Sequence, residues 1–102
     1  MPDFIIAYLG GRQPPSPEEG RRAQARWQKW LADLGDAVVH PGTPLGPSTI
    51  VEAGGKTKPA GEDRLTGYSI VAADDMNEAL AIAHRCPFLK MGKIEVAEIR
   101  NM

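Results

Sequence analysis

The stretch DFIIAYLG, residues 3–10, constrains the fold more than any other segment because both of its alternate sets of side chains are apolar. Successive side chains of an extended strand point to opposite faces of the sheet. One face would carry Phe4, Ile6 and Tyr8, and the other would carry Ile5, Ala7 and Leu9. A strand with two apolar faces is typical of a sheet that is covered on both sides. We therefore expect both faces of the sheet around this strand to be covered.

A helix signal follows within residues 16–35. Ser16 suits the N-cap position, Pro17 suits the first helical position, and Glu19 stands where a capping-box carboxylate belongs. Apolar side chains at helical spacing form one stripe, made of Ala23, Trp27, Trp30, Leu31 and Leu34. Gly35 is expected to end the helix in the left-handed conformation. The segment therefore predicts a helix with its tryptophan stripe facing the core.

The middle of the chain is rich in proline and glycine. DAVVHPG, residues 36–42, reads as a short strand that Pro41 should break, because proline has no amide hydrogen for the ladder. Residues 41–64 predict an irregular excursion with room for one short strand at Thr49 to Val51. The structure of this loop region is not fixed by the sequence.

The last third of the chain predicts a strand, a helix and a final strand. TGYSIVAADD forms the strand, DDMNEALAIAHRC the helix, and GKIEVAEIR the last strand. Asp75 and Glu78 form a second capping box. The side chains expected to face the core are Met76, Ala79, Leu80 and Ala83. The order of elements is that of a split βαβ, so we expect one α+β domain over residues 1–102, with a ferredoxin-like βαββαβ antiparallel sheet.

Charge and cysteine content exclude several classes of partner. Twelve basic and thirteen acidic side chains give a net charge of −1, which offers no excess positive potential for nucleic acid. The single cysteine cannot form an internal disulfide, and no Cys/His spacing fits zinc, so we expect a cytoplasmic protein without a cofactor or metal. The apolar N-terminal run is too short to cross a bilayer and lacks a basic leader.

Of the two histidines, only one is a good candidate for a functional residue. His84 and Cys86 lie two positions apart at a helix end and point in different directions, so we interpret them as structural rather than as a nucleophile and its base. Asp74 and Asp75 are interpreted as helix-capping residues. His40 is the better candidate, because it ends a strand beside the PGTPLG loop.

Residues 65–99 resemble the C-terminal half of YCII-related, or DGPF-type, proteins. The matching positions are Gly67, Tyr68, Asp75, Glu78, Ala79, Cys86, Pro87, Gly92, Glu95 and Val96. The resemblance implies a ferredoxin-like fold that pairs through its sheet into a dimeric α/β barrel, with a cleft between sheet and first helix. Some such proteins carry an acid/base pair, a histidine in the first helix and an aspartate before the Pro-aromatic pair. Here the first helix has no histidine, and Cys86 takes the place of the aspartate.

Three functions stay open at this point. The first is a homodimer that binds a small aromatic or carboxylated molecule in the sheet–helix cleft, lined by Tyr8, Trp27, His40 and Tyr68. The second is a cofactor-independent enzyme of the dimeric barrel class with His40 as general base. The third is a regulatory or interaction module. Two helices cover only one face of a four-stranded sheet, so the homodimer would cover the other face.

Overall fold

The computed structural model describes residues 1–101. These residues form six strands and two α-helices, with four strands between the helices and a short 3₁₀ helix after each α-helix. Their bounds are β1 Asp3–Leu9, α1 Pro17–Leu34, β2 Val38–Pro44, β3 Thr49–Val51, β4 Thr57–Pro59, β5 Leu65–Ala72, α2 Met76–His84 and β6 Lys93–Glu98, with the 3₁₀ helices at Gly35–Ala37 and Pro87–Lys90.

The main sheet has four strands in the order β2-β5-β1-β6, and every neighbouring pair is antiparallel. Together with the helix after β1 and the helix after β5, this is the predicted ferredoxin-like arrangement. The strands β3 and β4 form a separate antiparallel hairpin between β2 and β5. The α+β fold class expected from the sequence is confirmed.

Both helices begin where their capping residues predict. The Ser16 hydroxyl accepts a hydrogen bond from the Glu19 amide at 3.1 Å, and Asp75 accepts one from the Glu78 amide at 2.9 Å. Each bond satisfies an amide of the first turn that has no partner within the helix. Gly35 ends α1 with a φ of 56° and donates its amide to the Leu31 carbonyl. These local signals fix the direction in which each helix leaves the sheet.

The core lies between the two helices and one face of the sheet. Phe4, Ile6 and Tyr8 of β1 are almost fully buried there. The Trp30 indole donates to the Ile82 carbonyl at 3.3 Å and so links α1 to α2. The opposite set of β1 side chains, Ile5, Ala7 and Leu9, is only half-buried. The molecule is 18 Å across its thinnest dimension, so a single chain supplies a covering layer for one face of the sheet.

Two local expectations are wrong, and a third is incomplete. Strand β2 continues through Pro41 to Pro44, with two register shifts against β5, because an edge strand tolerates a residue that cannot donate. Met76 and Leu80 are each 39% exposed rather than buried, whereas Ile82 enters the core beside Ala79 and Ala83. The short strand expected at Thr49 to Val51 is present as β3, but it pairs with a second strand, β4, that the sequence did not predict.

Among residues 1–101, no helix is long and apolar enough to cross a bilayer.

Candidate functional site

A cleft of about 680 Å³ opens between α1 and the core face of the sheet. Tyr8 of β1, Trp27 of α1 and Phe88 of the second 3₁₀ helix give it aromatic walls. The volume lies within the range of small-molecule sites, which are roughly 300–1,000 Å³ and mostly apolar. The fold therefore provides a concave aromatic site beside the edge strand.

The aromatic walls hold one another in place. The Tyr8 and Trp27 rings meet edge to face, with centroids 5.2 Å apart and planes at 70°. Phe88 packs on the other side of Tyr8 at 4.9 Å, and Trp27 rests on the buried Trp30 at 5.2 Å. Edge-to-face and tilted contacts of this kind are favourable because the ring edge is positive and the ring face negative. The walls of the cleft are thus ordered by packing before any ligand arrives.

Glycine allows the edge strand to approach these walls. Gly42 in β2 has a φ of 136°, and a Cβ there would lie 2.9 Å from the Ser69 hydroxyl and 3.3 Å from the Trp27 ring. Gly67 in β5 is buried, and a Cβ there would meet the Thr43 carbonyl at 3.0 Å. Only a residue without a side chain fits at such distances. The floor of the cleft is therefore built from backbone.

A chain of hydrogen bonds fixes the hydroxyl of Tyr8. The Ser69 hydroxyl donates to the Pro41 carbonyl at 2.8 Å, so its oxygen is left to accept from Tyr8 at 2.7 Å. Burial raises the pKa of Tyr8 well above its ordinary value. Tyr8 is therefore a neutral, oriented wall residue and not a base at neutral pH.

Cys86 is buried next to Tyr8. It is only 3% exposed, and burial raises the pKa of its thiol to about 11, an effect opposed by hydrogen bonds involving the Phe88 backbone and Tyr8. His84 is exposed at the end of α2. The structure agrees with the structural interpretation of both residues.

Alkylation of Cys86 by iodoacetamide is expected to be slow in the folded protein. The thiolate is the reactive form. At pH 8, raising the pKa from 9.0 to about 11 lowers the thiolate fraction roughly a hundredfold, before burial is considered. The native rate should therefore be at least about a hundredfold below the rate in urea. Mass spectrometry of timed samples measures both rates.

The same shift gives the sign of a pH effect on stability. The raised pKa means that the thiol's contribution to stability is complete below pH 9.0 and is lost as the pH rises to about 11. Between those values the urea midpoint should fall more steeply in the wild type than in a Cys86→Ala variant. In the alkylation experiment, a native rate equal to the rate in urea would contradict the assignment of Cys86 as a buried, packed thiol.

The four residues predicted to line one cleft fall into two pairs. Tyr8 and Trp27 line the cleft. Tyr68 pairs with Ala7, and His40 with Ile70, so both lie on the opposite face of the sheet, with ring centroids 5.4 Å apart. His40 also accepts a hydrogen bond from the Gly42 amide through its Nδ1 atom at 3.2 Å. The prediction that all four side chains line one cleft is therefore corrected, because the register of β5 puts Gly67 and Ser69, not Tyr68, beside Tyr8.

A second cavity of about 440 Å³ adjoins the aromatic cleft and shares Gln24, Trp27 and Phe88 with it. Four basic side chains line this second cavity, namely Arg12, Arg26, Arg64 and Lys90. Sequence reasoning missed these residues and Phe88, since they come from four separate segments. No local spacing signals a cluster of this kind.

Within residues 1–101, no three His, Cys, Asp or Glu side chains group closely enough to hold a metal ion.

Comparison with known proteins gives a family and a fold. The family model of the YCII-related domain matches residues 5–102. A solved structure of 5-chloro-2-hydroxyhydroquinone dehydrochlorinase (TftG) from Burkholderia phenoliruptrix AC1100, in complex with 2,5-dihydroxybenzoquinone, is similar over 98% of this chain and 95% of that chain, with a TM-score of 0.57 and 18% identity. No curated protein matches the sequence. The solved structure supports the ferredoxin-like arrangement.

Proposed function

The chain belongs to the YCII-related domain family, and on that premise we propose that it binds a small aromatic molecule in the cleft between α1 and the sheet. The observation that carries the proposal is the cavity of about 680 Å³ walled by Tyr8, Trp27 and Phe88. Ring-on-ring contacts favour a planar aromatic ligand over an aliphatic one of similar size.

The structural neighbour supports this ligand class. TftG was solved with 2,5-dihydroxybenzoquinone, a planar oxygenated ring, and its chain is similar to this one over almost its whole length. A ring of that size fits a cleft whose walls are aromatic. Neither cavity is lined by an aspartate, glutamate or histidine among residues 1–101. We therefore propose binding, rather than acid–base catalysis, as the function of this site.

Truncation of Trp27 tests whether the ligand binds in the aromatic cleft. A Trp27→Ala variant should bind 2,5-dihydroxybenzoquinone at least about tenfold more weakly than the wild type, which corresponds to about 1.4 kcal/mol of lost contact. Isothermal titration calorimetry measures both dissociation constants. Circular dichroism should show that the variant is folded, because Trp27 is only partly buried.

The matched control is Tyr68→Ala, which truncates an aromatic side chain on the other face of the sheet. Its affinity should stay within about twofold of the wild type. If the wild type gives no binding heat and no rise in melting temperature with this compound, the aromatic-ring proposal fails for the oxygenated quinone class. Equal affinity of wild type and Trp27→Ala would place the ligand elsewhere.

We propose further that the protein is a homodimer closed through the free face of the sheet. Ile5, Ala7 and Leu9 of β1 lie there beside Tyr68 and Ile70 of β5, all half-buried in one chain. Soluble monomers rarely leave contiguous apolar patches larger than a few hundred Å². A second copy offers the same patch, and a two-fold axis makes the two patches complementary.

We also infer a cytoplasmic location. The lone cysteine is buried and free. Free thiols persist in reducing compartments, whereas secreted domains of this size usually rely on disulfides.

A further inference from the structure

The second cavity, which adjoins the aromatic cleft and is called its basic end below, concentrates positive charge that comes from four different segments. Arg12 follows β1, Arg26 lies on α1, Arg64 precedes β5 and Lys90 ends the second 3₁₀ helix. Backbone hydrogen bonds hold three of these segments together, with the Gly10 amide donating to the Arg64 carbonyl at 2.8 Å and the Arg12 amide to the Met91 carbonyl at 3.2 Å. The chain as a whole carries a net charge of −1, so the cluster does not reflect a generally basic surface.

None of these four side chains forms an ion pair within residues 1–101. Two carboxylates of the neighbouring segments are already engaged in ion pairs. Glu19 binds Arg22 at 2.8 Å, and Asp63 binds Lys93 at 3.2 Å. No acidic side chain lines the cavity itself. The positive potential at this end therefore stays available to a ligand.

The basic end, which is the second cavity with its four cations, directly adjoins the aromatic cleft. Gln24, Trp27 and Phe88 line both cavities, so a molecule stacked on the rings extends toward the cations. An aromatic ring alone would fill the aromatic cleft and leave the four cations of the basic end without a partner. A ring bearing an anionic group would use both ends.

We infer that the ligand of this cleft is an aromatic carboxylate, with its ring against Trp27 and Phe88 and its carboxylate at the basic end. This inference rests on the proposed binding function. Arginine suits the role because its planar guanidinium matches a carboxylate with two parallel hydrogen bonds. Because all four cations are exposed, each contributes a modest, salt-sensitive attraction, and their sum decides the preference.

Two compounds that differ only in charge test the inference. Calorimetry with 2,5-dihydroxybenzoate and 2,5-dihydroxybenzamide in low-salt buffer should show the carboxylate binding at least about tenfold more tightly than the uncharged amide. Raising the ionic strength to about 0.5 M should remove most of that difference, because exposed charges are then screened within a few ångströms. Inorganic phosphate alone should bind far more weakly than the benzoate, since it lacks the ring.

The double variant Arg12→Gln/Arg64→Gln should lose most of the preference for the carboxylate over the amide. Arg21→Gln is the matched control, because Arg21 is an exposed arginine of α1 that does not line the cavity. It should behave like the wild type.

The outcomes separate this inference from the proposed function. If neither benzoate nor benzamide binds, and 2,5-dihydroxybenzoquinone does not bind either, the aromatic cleft proposal has failed and the carboxylate inference falls with it. If both compounds bind equally well and Trp27→Ala weakens both, the cleft binds rings and the carboxylate inference is wrong. Phosphate binding as tight as benzoate binding would show a general anion site and would also overturn it.

Discussion

An Ile6→Asp chain is expected not to reach the folded state. Ile6 is 0% exposed, and its neighbours in register are Ser69 on β5 and Val96 on β6. The hydroxyl of Ser69 is already committed to Tyr8 and Pro41, so the new carboxylate would be buried without a donor. An unpaired buried charge costs about 3–5 kcal/mol and the lost packing of Ile6 about 2–5 kcal/mol, which together come to roughly 5–10 kcal/mol. Small domains are stable by only about 5–15 kcal/mol, so most or all of the stability would be lost.

Far-UV circular dichroism and urea unfolding at one fixed protein concentration measure this effect. Ile6→Val is the graded control, because it removes a single methylene from the same site and should cost only about 1 kcal/mol. It should unfold in one cooperative transition at a slightly lower urea concentration than the wild type. An Ile6→Asp protein with a wild-type midpoint would mean that β1 does not face the core through this set of side chains.

The parts of the fold that the sequence predicts correctly are those with local causes. Alternation in β1 separates Ile6 from Ile5, and the capping hydroxyl and carboxylate at Ser16 and Asp75 place the helix starts. Local patterns fail where tertiary position decides. Leu80 follows the helical spacing but lies on the outer side of α2, because nine residues give too few turns to distinguish neighbouring faces. The sequence predicts the first strand of the hairpin, Thr49 to Val51, but its partner strand Thr57–Pro59 was too short to recognise among prolines and glycines.

The candidate site was only half predictable for a different reason. Whether Tyr8 and Tyr68 lie on the same face of the sheet depends on the register between β1 and β5. A slip of one residue moves every side chain of a strand to the other face. The irregular pairing of β2 likewise hides the face that His40 takes. The basic end of the cleft depends on Arg12, Arg64 and Lys90 meeting across long stretches of chain. Such meetings follow from topology and leave no spacing in the sequence.

The free face of the sheet calls for a covering layer that one chain lacks. Alternation along the strands points apolar side chains to this face as it does to the core, yet no helix of the described residues lies over it. On that side Ile5, Ala7 and Ile70 are neighbours, and β6 adds Ala97 beside Ile5 and the charged Glu95 beside Ala7 at the edge. Leaving such a surface in water forgoes about 25 cal/mol for each Å² of apolar area that association would bury. Pairing of two copies sheet to sheet is the simplest way to bury it.

Wild-type protein at micromolar concentration is therefore expected to sediment at twice the 11.0 kDa mass of one chain, and an Ile5→Asp variant at the mass of a single chain. The substitution would place a carboxylate in the desolvated centre of the interface, but in an isolated chain the same carboxylate would reach water, so the variant should keep its circular dichroism spectrum. Leu80→Asp is the matched control, since Leu80 is an exposed apolar residue on the helix side and its replacement should leave the dimer intact. A wild type that sediments as a monomer would contradict the sheet-to-sheet dimer. A dimer that survives Ile5→Asp but dissociates in Leu80→Asp would instead move the interface to the helices.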